Sequence, residues 1–500
     1  MSSAIRDRCK RLVLSDHLLQ EVMSRLNADI DKGLHKDTHA TATVKCFPTF
    51  IQDLPQGTET GKFLALDLGG TNFRVLMIYA GEKFRMEHKT YPISPEIMTG
   101  PGEQLFDYIA ESLENFVREQ KAENEHLPLG FTFSFPVDMM SLTKGVLVRW
   151  TKGFKCEGVV GANVVELLQQ ALVRRSNFPV NVVAILNDTA GCLVSCAYDH
   201  KHCKIGVIVG TGFNACYVER TENVSTFENE ANKPFVVINT EWGAFGDDGA
   251  LDFLLTEFDR TIDDRSLNRG QQIYEKMVSG MYMGEIVRLM MEKFTEEGIL
   301  FNGKGSHQLS TRGIFDTMYI STIEAADVGD ISICRNVLYQ RLALPHATAQ
   351  DCIDVRYLCR VVSQRSAHLA SAGIATLLNR MDFSIVTVGV DGSVYRYHPY
   401  FHHMMLEKIP ALISHSKKVN LVLSEDGSGR GAAFVAAVAA DELKRKEEKR
   451  KQQEEKRKQQ EELERQREEK EMAEKAMRQE QTDVISQESQ DDSNFSVHIF

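Results

Sequence analysis

KFLALDLGGTNFRVLMIY, residues 62–79, is an apolar run, a Gly-rich turn and a second apolar run. It reads as strand, tight turn, strand, with glycines where the backbone turns sharply or lets a ligand approach. KIGVIVGTGFNACYV (204–218) has the same layout, and SIVTVGVDGSVYR (384–396) is a weaker third instance. Two such hairpins about 140 residues apart predict a duplicated domain with a ligand held between the copies. Three unrelated hairpins are the plain alternative.

Working outward, β-type runs and helical patterns alternate up to about residue 440, which predicts an α/β architecture. Ahead of the first hairpin, Leu18, Leu19, Val22, Leu26 and Ile30 recur at helical spacing. Ser15 or Asp16 can cap that helix and Gly33 offers a stop. Beyond Asp441 the character changes. EEKRKQQ occurs at 447–453 and again at 454–460, and residues 441–480 hold 14 acidic and 14 basic side chains. Glu447–Lys451, Glu454–Lys458, Glu461–Arg465, Glu471–Lys475 and Glu474–Arg478 are acid-before-base pairs in the order that stabilises a helix. The seven-residue period lacks apolar a and d positions, so a solvated single helix is expected rather than a coiled coil. The Ser-, Gln- and Asp-rich last twenty residues read as disordered.

Five hundred residues exceed one compact core, so two globular domains with appendages are expected. A net charge of -12 argues against nucleic acid or an anionic membrane as the main partner. The ten cysteines form no Cys-x-x-Cys, and Cys192, Cys196 and Cys203 lack zinc-ligand spacing, so reduced thiols are expected. The N-terminus has no apolar run long enough for a signal peptide, and no stretch is long enough to span a bilayer. The cytosol is the expected location.

Gly-rich turns present backbone N–H groups to anions. LDLGGTN (66–72) and GTG (210–212) both offer this, with Thr71, Asn72 and Thr211 as further donors and Arg74 as a nearby cation. SEDGSGRGAAF (424–434) leads into a helical pattern whose N-terminus would favour phosphate. Each turn alone is as well explained by plain structure. GTETGKF (57–63) falls short of a Walker A loop, because its glycines are one residue too close and no Ser or Thr follows Lys62. AILNDTAG (184–191) is strand-like and ends in Asn187-Asp188-Thr189. Asp188 there can act as a general base, or one of these residues can simply cap a helix. A ligand rich in hydroxyls needs a dense set of amides and carboxylates. Asn187, Asn214, Glu241 and Glu275 sit in Gly- or aromatic-flanked strings of that kind, and WTKGF (150–154) places Thr151 and Lys152 at a turn.

Taken in order, LALDLGGTNFRVL, LGFTFSFP, WTKGF, ILNDTAG, IVGTGFNACY, INTEWGAFGD, GQQIYEKMVSGMYMGE, TRGIFDT, VGVDGSVYR and SEDGSGRGAA resemble the animal-type hexokinase and glucokinase family over roughly residues 15–440. The resemblance implies an actin-like (ribonuclease-H-like) two-domain ATPase fold whose small and large domains close over a cleft. The implied division is an N-terminal helical segment (1–60) packing on the large domain, a small domain (61–187), a large domain (188–425) and a helix returning to the small domain (426–440). A charged helix (441–480) and a disordered tail (481–500) follow.

The implied activity is transfer of the ATP γ-phosphate to the 6-hydroxyl of glucose, with mannose and fructose as further acceptors. Asp188 would take the proton of that hydroxyl. Ser134, Thr151 and Lys152 would hold the sugar from the small domain, and Asn187, Asn214, Glu241 and Glu275 from the cleft and large domain. Asp67, Gly69, Gly70, Thr71, Asn72 and Arg74 would form the first phosphate loop, with Asp67 oriented toward Mg²⁺ through water. Gly210, Thr211 and Gly212 would meet the other phosphates, and Thr317, Ser321, Asp391, Gly392 and Ser393 match nucleotide-contacting positions. The chain resembles a single catalytic unit acting as a monomer, and its tail is a candidate tether.

This sequence departs from the family pattern in VDMMSLTKG, where a more polar run is usual, and at Ala190 and Cys192, where Val and Thr are common. A non-catalytic sugar sensor and an actin- or chaperone-like ATPase are the competing readings, and both predict that glucose does not drive ATP turnover.

Overall fold

A computed structural model describes residues 2–70, 72–81, 84–150, 153–175 and 179–494. The chain forms two compact units that divide between Ala439 and Ala440. Its strands are β1 (Phe47–Pro48), β2 (Gly61–Leu68), β3 (Asn72–Ala80), β4 (Arg85–Pro92), β5 (Leu127–Phe133), β6 (Val137–Ser141), β7 (Lys144–Leu147), β8 (Val180–Leu186), β9 (Cys203–Val209), β10 (Phe213–Arg220), β11 (Phe235–Asn239), β12 (Ile385–Asp391) and β13 (Lys418–Leu423).

The first unit is built on two sheets with one wiring. One has the order β4-β3-β2-β5-β8, the other β11-β10-β9-β12-β13 with β1 added at the β11 edge. In each, three strands meander antiparallel and two more join in parallel. The duplication suggested by two Gly-rich turns is therefore present in the sheet topology, with both turns at corresponding places: Leu68 pairs with Phe73, and Val209 with Phe213.

The third expected hairpin does not form. β12 ends at Asp391, and after Gly392 residues Ser393–Tyr397 turn into a short helix. β12 already has β9 on one side and β13 on the other, so no edge is left for a returning strand. Gly392 is required at this point. Its φ is 110°, and a Cβ there would lie 2.4 Å from the Val209 carbonyl oxygen.

Among the described residues three large cores and a small fourth cluster around Val183 hold the unit together by removing apolar surface from water. One joins the six-stranded sheet to helix Asp16–Leu34, through Leu19, Val22, Leu26 and Ile30, and to helix Ala349–Arg380. The Ser15 side chain caps the first of these helices by accepting from the Leu18 N–H. A second core fills the five-stranded half. The third draws Leu76, Ala184, Val218 and Val237 from both sheets around Leu193 and Phe434. Leu193 lies on helix Asp188–Asp199 and Phe434 near the start of helix Gly427–Asn494.

In the second unit the described chain is helical throughout, as part of helix Gly427–Asn494. The helix thus continues past residue 480, where disorder was expected, because residues 481–494 contain no Gly or Pro to stop a helix already nucleated. Lys451 pairs with Glu447 at 3.1 Å and Lys458 with Glu454 at 3.2 Å, as the spacing predicts, whereas Arg465 turns forward to Glu469 at 3.6 Å. No helix among the described residues is long and apolar enough to cross a membrane.

Candidate active site

β8 ends at Leu186, and the chain enters helix Asp188–Asp199 through Asn187. The Asn187 side-chain oxygen accepts from the Thr189 and Ala190 N–H groups at 2.9 and 3.1 Å, so Asn187 is the cap. Asp188 is then the first helical residue, half-buried, at the end of a helix where orphan N–H groups favour a negative charge.

Of the acids and amides expected to bind hydroxyls, Asn214 meets Glu241 directly and Asn187 lines the same cavity. The Glu241 Oε1 accepts from Asn239 at 2.7 Å and from Asn214 at 3.1 Å, and Asn214 also donates to the Asn239 side chain at 2.9 Å. Burial pushes the Glu241 carboxyl above the usual carboxylate range. The charge of Asp188 adds to that rise, while the two amides and Arg149 oppose it. Asp188 and Glu241 therefore feel each other across the site.

Glu275 accepts from the Phe213 N–H at 2.9 Å, and a Cβ on Gly212 would lie 3.0 Å from its Oε2. Both contacts are with the second Gly-rich turn, next to Asn214 in sequence. Ser134 is half-buried, and its N–H donates to the carbonyl of Leu68, beside the first turn. Thr151, Lys152 and Thr71 lie outside the described residues.

A cavity of about 370 Å³ opens on this cluster. Asn187, Asn239, Glu241, Asp247 and Gln272 form its polar wall. Three of these were missed by sequence reasoning: Asn239, Asp247 and Gln272. All three stand in quoted strings, Asn239 two and Asp247 six residues from Glu241 and Gln272 three from Glu275, but only folding turns them toward the same space. Asp247 accepts from the Gln272 and Ile273 N–H groups at 3.1 and 3.0 Å, fixing the start of the helix that carries Glu275. Burial pushes its carboxyl up to about 6. Glu241 and Gln272 both have left-handed backbones, with φ of 52° and 60°. Such conformations cost roughly 1 kcal/mol or more for a non-glycine residue and cluster at functional sites.

The phosphate-type elements converge on the start of helix Gly427–Asn494. Asp67, at the end of β2, accepts through Oδ2 from the Ser428 hydroxyl at 2.8 Å and from Arg74 at 2.7 Å. Arg74 also donates to Asp426 at 2.7 Å. From the other sheet, Asp391 accepts from the Gly427 N–H at 3.2 Å and from its neighbour Gly392 at 2.7 Å. Gly69 and Gly70 face open space where a Cβ would stand, and Asn72 and Thr211 are exposed.

Gly210 packs on Gly392 and accepts from the Gly280 N–H at 2.8 Å. The Thr317 hydroxyl donates to Gly280 at 2.6 Å, which ties helix Thr317–Ala325, with Ser321 one turn on, to the same corner. Ser393 is exposed at the start of its short helix.

The two halves of the site meet at a helix crossing. A Cβ on Gly431 would lie 2.0 Å from the carbonyl oxygen of Gly191, and one on Gly191 would lie 2.8 Å from the Ser428 backbone. Backbone contact this close links the Asp188 helix directly to the helix end held by Asp67 and Asp391. Behind the crossing, Ala190 and Cys192 are fully buried, and the Cys192 carbonyl accepts from Ser424.

Comparison with known proteins agrees with this geometry. The family described as Hexokinase matches residues 4–198 and, in a second part, 204–438. Human Hexokinase-1 is 47% identical over 435 residues, covering 85% of this chain and 47% of the relative. Human Hexokinase-2 is 47% identical over 448 residues, 87% of this chain and 48% of the relative. The chain therefore spans about half the length of these relatives. A solved hexokinase of Schistosoma mansoni complexed with glucose is 44% identical with a TM-score of 0.81, covering 87% of this chain and 98% of that one. A second hexokinase crystal structure is 30% identical with a TM-score of 0.77, covering 87% of this chain and 100% of that one. With nearly all of two solved hexokinases matched at 30% identity or above, and the family model matching residues 4–198 and 204–438, this chain belongs to the hexokinase family.

Proposed function

We propose that this chain transfers the γ-phosphoryl group of ATP to the 6-hydroxyl of D-glucose, with mannose and fructose as further acceptors, giving a hexose 6-phosphate and ADP as at the entry to glycolysis. The observation that carries the reading is the position of Asp188. Its carboxylate lies within electrostatic reach of Glu241 in the hydroxyl-binding cluster, and its helix crosses the helix on which the phosphate-type turns converge.

In this reading Asp188 accepts the 6-hydroxyl proton as the oxygen attacks phosphorus, a contribution of roughly 10²–10⁴-fold. Asn187, Asn214, Asn239, Glu241 and Glu275 orient the ring hydroxyls, with Ser134, Thr151 and Lys152 holding the sugar from the other side. Arg74 and the backbone of 69–72 and 210–212 hold the phosphates, with Thr317, Ser321, Asp391, Gly392 and Ser393 around the remainder of the nucleotide. Closure of the small domain (61–187) on the large one (188–425) would exclude water that otherwise competes for the phosphoryl group.

Asp67 fits Mg²⁺ held through water, since its side-chain hydrogen bonds among the described residues fall on Oδ2 and it stands beside Gly69 and Gly70, where a Cβ would face open space. When bound, Mg²⁺ would neutralise charge on the phosphates. Ten free, buried cysteines are in keeping with the cytosol as the proposed location.

The test is ADP release with and without glucose. ATP turnover that rises at least tenfold on adding glucose supports a sugar kinase. Glucose-independent turnover would point to an ATPase of the same fold, and no turnover with intact glucose binding to a non-catalytic sugar sensor.

A further inference from the structure

Away from the cavity, three polar side chains from separate parts of the first unit meet around one carboxylate. Glu324 lies near the end of helix Thr317–Ala325, Ser363 in the middle of helix Ala349–Arg380, and His398 just past the short helix Ser393–Tyr397. All three are buried, none more than 4% exposed. The Ser363 hydroxyl donates to Glu324 Oε1 at 2.6 Å, and His398 Nε2 stands 3.1 Å from the same oxygen and 2.9 Å from the hydroxyl oxygen. The Tyr400 N–H donates to His398 Nδ1 at 3.2 Å, so that nitrogen is the acceptor and Nε2 carries the ring proton toward Glu324. Arg360 closes the network from its exposed side, 3.5 Å from the other Glu324 oxygen.

Burying polar groups costs free energy unless each finds a partner. What a satisfied, directional network adds is a fixed register between the elements that supply it. Two of these elements begin at residues placed around the nucleotide: Thr317 opens one helix, with Ser321 a turn along, and Ser393 opens the other. Their near ends already meet through Gly280, Gly210 and Gly392. Glu324 and His398 join the far ends and Ser363 pins both to the long core helix, so neither element can tilt alone. We propose that Glu324, Ser363 and His398 are positioning residues that hold Thr317, Ser321 and Ser393 in register for ATP without affecting glucose binding. The inference rests on the nucleotide contacts of the proposed function.

The test uses the full chain, with KM for ATP and kcat from glucose-dependent ADP release and glucose affinity from tryptophan fluorescence. Ser363→Ala and His398→Leu each remove a polar partner of Glu324. In each, the KM for ATP should rise about tenfold, while glucose affinity stays within about twofold of the parent. His398→Gln, whose amide can donate from near the Nε2 position, should recover most of that loss. Ser371→Ala removes a buried hydroxyl on the same long helix that bonds to the Ala367 carbonyl. It controls for burial alone and should leave the KM for ATP within about twofold. If His398→Leu does not fold, Ser363→Ala decides. An unchanged KM for ATP in Ser363→Ala, an equal rise in Ser371→Ala, or parallel losses of ATP and glucose affinity would overturn the positioning role. A parent chain without glucose-dependent turnover would overturn the kinase reading and this inference together.

Discussion

Glu241 illustrates what one residue trades at this site. Burial raises its carboxyl, so the ionised form costs stability. The folded value lies above the unfolded one, so the associated stability is fully present at low pH and is lost as pH rises through the folded value. Glu241→Gln keeps an oxygen for the Asn214 and Asn239 amides and removes the charge. We expect its melting temperature near neutral pH to equal or exceed that of the parent, while glucose affinity falls about 10- to 100-fold, the usual worth of a charged hydrogen bond. Calorimetry and a glucose titration check the two halves.

In the proposed site a sugar hydroxyl would donate to the ionised carboxylate of the parent, so acidification should weaken binding. That decline should begin nearer neutrality than for an ordinary carboxylate, with Asp247, pushed up to about 6, contributing in the same direction. Affinity measured from pH 5 to 8 should fall on the acid side in the parent and fall less in Glu241→Gln. At this scale the sequence is only partly legible. Asn187 and Asp188 are equally good caps by type, and only the hydrogen bonds to Thr189 and Ala190 assign the cap to Asn187. Asp247 carries no local signal for its role, because it accepts from Gln272 and Ile273, distant along the chain.

At the scale of elements, the decisive contact is the crossing of helices Asp188–Asp199 and Gly427–Asn494 at Gly191 and Gly431. Backbone oxygen stands 2.0 Å from where a Gly431 Cβ would be, so Gly431→Ala must push the helices apart. We expect a loss of about 1–3 kcal/mol or more in stability, together with a fall in kcat, since Asp188 and the phosphate-type turns are tied through this contact. Thermal unfolding and steady-state kinetics read the two effects.

The two true hairpins were legible because strand, turn and strand are adjacent in sequence. The third was misread because a five-residue helix, Ser393–Tyr397, is too short to show a helical period. The two occupied edges of β12, which forbid a returning strand, are long-range pairings that leave no local trace. The run to Asn494 was misread by composition, which is polar but contains no residue that ends a helix.

Across the whole molecule, ten cysteines are all free and buried. A bulky disulfide reagent should therefore label fewer than one thiol rapidly in the native protein and all ten after denaturation. Fast native labelling of several would contradict the packing described here. The duplicated order of the two sheets was foreshadowed by their Gly-rich turns, and the cavity only through Asn187 and Glu241. Its walls come from residues 42–49, 133–139, 148–149, 185–187 and 239–272, and no single stretch of sequence displays them together.

Both tryptophans flank the proposed sugar site, Trp150 next to Thr151 and Trp242 next to Glu241, so intrinsic fluorescence reports binding independently of turnover. That makes the most direct test a paired one on Asp188→Asn: glucose titration by fluorescence, and kcat for glucose-dependent ADP release, on the same preparation. The account predicts a glucose affinity within a few-fold of the parent and a kcat lower by at least ~10²-fold. Near-parental turnover in a variant that binds glucose normally would contradict it.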